Sequence, residues 1–173
     1  MSYINIIMAS WGSSNPRDKS SMKISEILNK DSIIANLAST NKNGILKELS
    51  LAVAKDNNAL PDDIAAVLME REALGSTGIG GGIAIPHGKL DSIESVTIGF
   101  GLSPQGVEYD SLDGRPVHIF FLLLTPENNT GSHLKVLAQI SKLLKKDQFK
   151  KGLKAAQSRE EIYEIIMGHD EEF

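Results

Sequence analysis

The chain has 173 residues, long enough for one domain that buries most of the surface its unfolded form exposes without a metal or a disulfide. Its 18 Lys and Arg against 22 Asp and Glu give a formal charge of −4, and 5% aromatics with scattered lysines leave no basic, aromatic-laced stripe for nucleic acid. The absence of cysteine excludes disulfides, thiolate catalysis and Cys-based zinc sites, and is compatible with a reducing cytoplasm, where the chain is expected.

Residues 1–21, with Trp11-Gly-Ser-Ser-Asn-Pro-Arg-Asp-Lys-Ser-Ser, lack helical and strand periodicity and the pattern of an export signal; they are expected to be a disordered extension before a domain spanning 22–167. From Lys42 to Lys55, Ile45, Leu46, Leu49, Ala52 and Val53 share one helical face. A second helix starts at Leu60-Pro61-Asp62-Asp63, with proline suited to the first turn and carboxylates at the positive end of the dipole, and stops at Gly75. Ile83 to Ile85, Val96 to Leu102 and Val117 to Thr125 read as strands, the last almost continuously apolar, as in a strand covered on both faces. That run is far short of the ~20 apolar residues that cross a bilayer, so no direct membrane insertion is expected. A helix from His133 carries Leu134, Leu137, Ile140, Leu143 and Leu144 on one stripe, with Thr130 or Ser132 as its cap. Ser158-Arg-Glu-Glu161 is a capping box for a last helix, followed by a solvated tail over 168–173. Intermingled helices and strands without a repeat make this a single α/β domain whose helices cover a sheet.

The chemistry concentrates in Gly75-Ser-Thr-Gly-Ile-Gly-Gly-Gly-Ile-Ala-Ile-Pro-His87-Gly-Lys89. Glycines accept positive φ and can turn several N–H groups toward one point, which suits an anion, and Pro86 fixes the chain before His87. The Walker pattern fails, because five residues rather than four separate Gly82 from Gly88-Lys89 and Leu90 follows. The dinucleotide pattern fails too, since Gly78, Gly80 and Gly82 meet no third glycine or alanine at the required spacing. His118, inside an apolar strand, is expected to be a satisfied core or edge residue, and His169 a solvent-exposed one. His133 stands at a helix start, where capping is its default role and a nearby anion is favoured. Arg71 between Glu70 and Glu72 reads as a wet face at a helix end.

Together these positions resemble a known family. Arg71-Glu72-x-Leu74-Gly-Ser-Thr-Gly-Ile-Gly-x-Gly-Ile-Ala-Ile-Pro-His87-Gly-Lys is similar to the active-site signature of the fructose/mannitol class of enzyme IIA in the phosphoenolpyruvate:sugar phosphotransferase system. Pro116-Val-x-Ile-Phe-Phe-Leu-Leu-Leu-Thr-Pro126 and Ser132-His133-Leu-x-x-Leu resemble the family's later strand and the helix bearing its second histidine. The run through His87-Gly-Lys-Leu is closest to the nitrogen-regulatory branch.

The resemblance implies a mixed central sheet of about five strands with helices on both faces. It also implies that His87 accepts a phosphoryl group from HPr or its nitrogen-branch counterpart. His133 and Arg71 would line the site, with Gly78, Gly80, Gly81, Gly82 and Gly88 as a phosphate-binding loop and Lys89 as an added charge. No metal or cofactor would be needed, the phosphoryl group coming from phosphoenolpyruvate through enzyme I. The downstream partner would be a regulated target or, in a sugar-specific IIA, a IIB domain. The sequence shows no fused IIB or membrane segment, which favours regulation as the expectation.

Overall fold

A computed structural model of the chain describes residues 22–170; the extension expected over 1–21 and the last residues of the expected tail lie outside that range. In chain order the elements are α1 (Ile24–Ile27), β1 (Leu28–Ile34), α2 (Lys42–Ala54), α3 (Pro61–Ala73), β2 (Gly78–Gly80), β3 (Ile83–Ala84), β4 (His87–Leu90), β5 (Thr97–Val107), β6 (Val117–Pro126), α4 (Thr130–Leu144), α5 (Asp147–Ala155) and α6 (Arg159–Asp170). The sheet has six strands in the order β1-β5-β6-β3-β2, with β4 also paired to β6, where about five were expected. It is mixed: β1 runs parallel to β5, β5 antiparallel to β6, and β3 and β4 both parallel to β6.

The apolar run of β6 is explained by cover on both faces. Ile119, Phe121 and Leu123 pack with Val136, Ile140, Phe149, Ile162 and Ile166 from α4, α5 and α6. Phe120, Leu122 and Leu124 face Ile45, Leu46, Leu49, Ile64 and Leu68 from α2 and α3. Phe121 holds the first layer together, edge-on to Phe100 at 4.9 Å and stacked on Phe149 at 6.5 Å.

One chain segment lines the second edge of β6 twice. Ile83 pairs with Ile119 and His87 with Leu123, and Pro86, lacking an N–H, divides the segment while its carbonyl accepts from Leu123 N at 3.0 Å. β4 is thus an outer strand at the carboxyl end of β6, where both helical layers can reach it.

Several expectations need correction. β1 was not read from sequence because its Asn29, Lys30 and Asp31 are exposed at a sheet edge, which leaves no alternation to see. α4 begins at Thr130, and Asn129 caps it by accepting from Ser132 N at 3.3 Å, so neither Thr130 nor Ser132 is the cap. Up to Asp170, the expected tail is helix rather than solvated chain. α6 runs to Asp170, whose buried carboxylate accepts from Ile24 N at 3.3 Å and Ser25 N at 2.7 Å, so the end of the last helix caps the first. His169 is half-buried against Phe149, with ring centroids 5.1 Å apart.

Candidate active site

His87 opens β4 and is partly buried. Its Nδ1 lies 2.8 Å from the Ile85 carbonyl, which can only accept, so Nδ1 carries the proton and Nε2 the lone pair. Arg71, in the last turn of α3, donates Nε–H to that Nε2 at 3.3 Å and Nη1–H to Gly75 O at 2.9 Å. The tautomer and the direction of the nucleophilic nitrogen are therefore set by two partners on opposite sides of the ring. Burial holds His87 below its ordinary pKa of 6.5; the Arg71 charge acts the same way, opposed by the Ile85 hydrogen bond and by Glu72. The neutral ring is the form a nucleophile needs.

His133 reaches the same point from the other helical layer. It is buried on α4, its ring centroid 5.4 Å from that of His87, and its Nδ1 is 2.7 Å from Thr125 Oγ1. Burial, then the charges of His87 and Lys89, push its pKa down to about 4, so it is neutral near pH 7. Lys89 Nζ donates to Thr130 Oγ1 at 3.1 Å on the rim. Val67, Glu70, Arg71, Leu74, His87, Gly88, Lys89, Thr130, His133 and Leu134 enclose a cavity of about 390 Å³. Gly88 leaves room for α3 to pack closely on β4, because a Cβ there would lie 2.5 Å from Val67 Cγ1 and force that side chain to shift.

Behind Arg71 stands a polar cluster that sequence reading missed. Glu72 is buried rather than part of a wet face. It accepts from Thr77 N at 3.0 Å, from the Thr77 hydroxyl and from Tyr109 Oη at 3.0 Å, and pairs with Lys42 Nζ at 3.1 Å. Burial and the Glu72 charge raise the Tyr109 pKa, keeping the phenol a donor. Ile64, Leu68 and Glu72 recur at intervals of four on the buried face of α3, which was the available signal. The cluster ties the end of α3 to the chain at Thr77 and so anchors the turn that holds Arg71.

The remaining glycines do not join the site, which corrects the expected phosphate cradle. Gly80, Gly81 and Gly82 have φ of 95°, 67° and 79° and form the turn between β2 and β3. By the β6 register this turn lies four residues from His87, roughly 13 Å. Three N–H groups of this glycine run are also taken: Gly78 N by Ser76 Oγ, Gly80 N by Ser111 Oγ and Gly81 N by Asp113 Oδ2 at 2.9 Å. Asp113, its pKa lowered by the Gly81 and Arg115 backbone bonds, serves this turn as the anion a phosphate was expected to be. His118 sits beside it with Nδ1 2.9 Å from Ser103 O, remote from the cavity. A larger hollow of about 520 Å³ between α5 and α6 is lined by Gly152, Ala155, Glu161, Glu164 and His169 among others; His169 has Nδ1 2.9 Å from Ile165 O, but no arginine and no second histidine lines that hollow.

A family model described as "Phosphoenolpyruvate-dependent sugar phosphotransferase system, EIIA 2" matches residues 26–168. The chain is 39% identical over 154 residues to the PTS system fructose-specific EIIABC component of Bacillus subtilis; the match takes in 86% of this chain but only 24% of that relative's length. It is 35% identical over 145 residues to a nitrogen regulatory protein of Bradyrhizobium diazoefficiens, covering 84% of this chain and 95% of the relative. The crystal structure of nitrogen regulatory protein IIA-Ntr from Neisseria meningitidis aligns with a TM-score of 0.78 at 34% identity, over 83% of this chain and 98% of that one.

Proposed function

The chain belongs to the EIIA type 2 family of the phosphoenolpyruvate-dependent sugar phosphotransferase system, and we propose that it is a phosphohistidine carrier with His87 Nε2 as the acceptor atom. The observation that carries this reading is the pair of hydrogen bonds that protonate Nδ1 and aim the Nε2 lone pair at Arg71. The donor is a phosphohistidine on HPr or its nitrogen-branch counterpart. As the bond from Nε2 to phosphorus forms, the bond from phosphorus to the donor's ring nitrogen breaks, and its electron pair returns to that nitrogen. No proton need move, because Nδ1–H stays on the Ile85 carbonyl.

Arg71 gives up its bond to Nε2 and turns its N–H groups to the phosphoryl oxygens, where charge stabilisation and positioning do most of the catalysis of such transfers. Bonds broken and formed are alike, so the step runs in both directions, as a relay requires, with neither metal nor nucleotide.

The output is nitrogen or metabolic regulation, a reading supported by the nitrogen regulatory protein whose length this chain matches almost completely. A phosphate adds up to about −2 at the rim and changes which partner fits. A second reading, a fructose-type IIA passing the group to a IIB domain, is supported by the Bacillus subtilis relative. Incubation with phosphoenolpyruvate, enzyme I and HPr, followed by mass spectrometry, is expected to find an acid-labile phosphate on His87 and none in His87→Ala. A charged HPr beside an unlabelled chain would rule the carrier reading out. Capture of a regulated target by only one phosphorylation state would separate the regulator from a sugar-specific carrier.

A further inference from the structure

Thr125 ends the buried part of β6 and is wholly enclosed. Its hydroxyl holds one proton, and among the described residues the only side-chain partner in reach of Oγ1 is His133 Nδ1, at 2.7 Å. Were Nδ1 protonated, it would donate to Oγ1 and leave the Thr125 proton enclosed without an acceptor, an arrangement folded proteins avoid. Both groups are satisfied only if Thr125 donates to Nδ1, which places the ring proton of His133 on Nε2. The ring faces His87 across 5.4 Å at an angle of 60°.

We infer that Thr125 is a positioning residue: its hydroxyl holds His133 as the Nε2–H tautomer, so that a neutral N–H donor faces the phosphoryl group on His87. The inference rests on the carrier reading above and assigns each histidine of the pair a different tautomer. His87 keeps Nδ1–H and offers a lone pair, while His133 keeps Nε2–H and offers a proton. The division follows from the elements beneath them, a carbonyl that can only accept under His87 and a hydroxyl that can donate under His133. The opposite tautomer of His133 would point a lone pair at the phosphoryl oxygens and repel them. A neutral donor also stabilises the group without adding a full positive charge that would hold it too firmly to pass on.

Two-bond proton–nitrogen correlation spectra of the unphosphorylated full chain read the tautomer directly. Wild type and Thr125→Ser are expected to show the Nε2–H pattern for His133, and Thr125→Val to populate Nδ1–H. In the assay with phosphoenolpyruvate, enzyme I and HPr, the transfer rate is expected to drop about tenfold in Thr125→Val, as on loss of a histidine's orienting partner, and to recover in Thr125→Ser. An Nδ1–H pattern in wild type, or an undiminished Nε2–H pattern in a folded Thr125→Val, overturns the inference. Should the valine variant not fold, the wild-type spectrum alone decides. Because the spectra need no phosphate, a wild type unlabelled at His87 would defeat the carrier reading without deciding the tautomer.

Discussion

Arg71 is the residue on which the two nitrogens of His87 become unequal. Its Nε–H occupies the lone pair that a phosphoryl group must take, and its positive charge helps keep that lone pair free of a proton. Arg71→Ala is therefore expected to lower the rate of His87 phosphorylation by about a hundredfold, the usual scale for losing a charge-stabilising donor. The melting temperature should move little, because the side chain is bonded at a partly exposed site. A rate within about threefold of wild type would show that Arg71 only fills the rim. The flanking acidic residues illustrate what a short motif hides. Glu70 lines the cavity, whereas Glu72 is buried among Thr77, Tyr109 and Lys42, none of them near it in sequence except Thr77. Residue type alone could not tell the two apart; the spacing from Ile64 and Leu68 could have done so.

Among the elements, the β2–β3 turn and β4 divide the glycine-rich segment into two functions. The turn is closed by Asp113 and Ser111, and Gly81 sits in it at a φ of 67° with open space around its missing Cβ. Gly81→Ala places a Cβ in the left-handed region and should cost roughly 1 kcal/mol, a fall of about 2–4 °C in melting temperature for a chain of this size. Phosphorylation of His87 should be unchanged. A loss of labelling at full stability would restore the turn to the phosphate site. This separation was not visible in sequence, because glycines for a tight turn and glycines for an anion cradle are the same residue, and the ligand of the N–H groups lies about thirty positions downstream. The longer helices were legible from their stripes; of the Ser158 box, Ser158 Oγ accepts from Glu161 N at 3.1 Å, while the Glu161 carboxylate accepts from Gln157 N at 2.8 Å rather than from Ser158 N. α5 was not legible, since only Phe149 and Leu153 are buried in it.

The molecule as a whole should carry the cost of enclosing His133 as a pH dependence. In the unfolded chain this histidine takes up a proton near its ordinary 6.5, while in the fold it does so only at about 4. Between those values the unfolded state binds more protons than the native state, so stability rises with pH and falls as the solution is acidified. The loss from this one group reaches roughly 3 kcal/mol by pH 4. His87 shifts in the same direction. His133→Gln is expected to flatten the decline, with a smaller drop in urea midpoint between pH 7 and pH 5 than wild type. Parallel profiles for the two proteins would mean that His133 is not desolvated as described.

Periodicity and capping were enough to define an α/β domain, because burying one face of a helix or both faces of β6 imposes a pattern that any single segment displays. The motif around His87 was enough to identify the family, since a long run of specific residues survives without reference to folding. The meeting of Arg71, His87 and His133 needed the outer strand β4, which lets α3 on one face of the sheet and α4 on the other reach the same imidazole. The exclusion of the glycine turn, the partners of Glu72 and the tautomers set by Ile85 and Thr125 likewise depend on contacts between residues remote in the chain or hidden in its packing. Hydrogen-bond partners and desolvation are properties of neighbours in space, and no pattern along the chain encodes them.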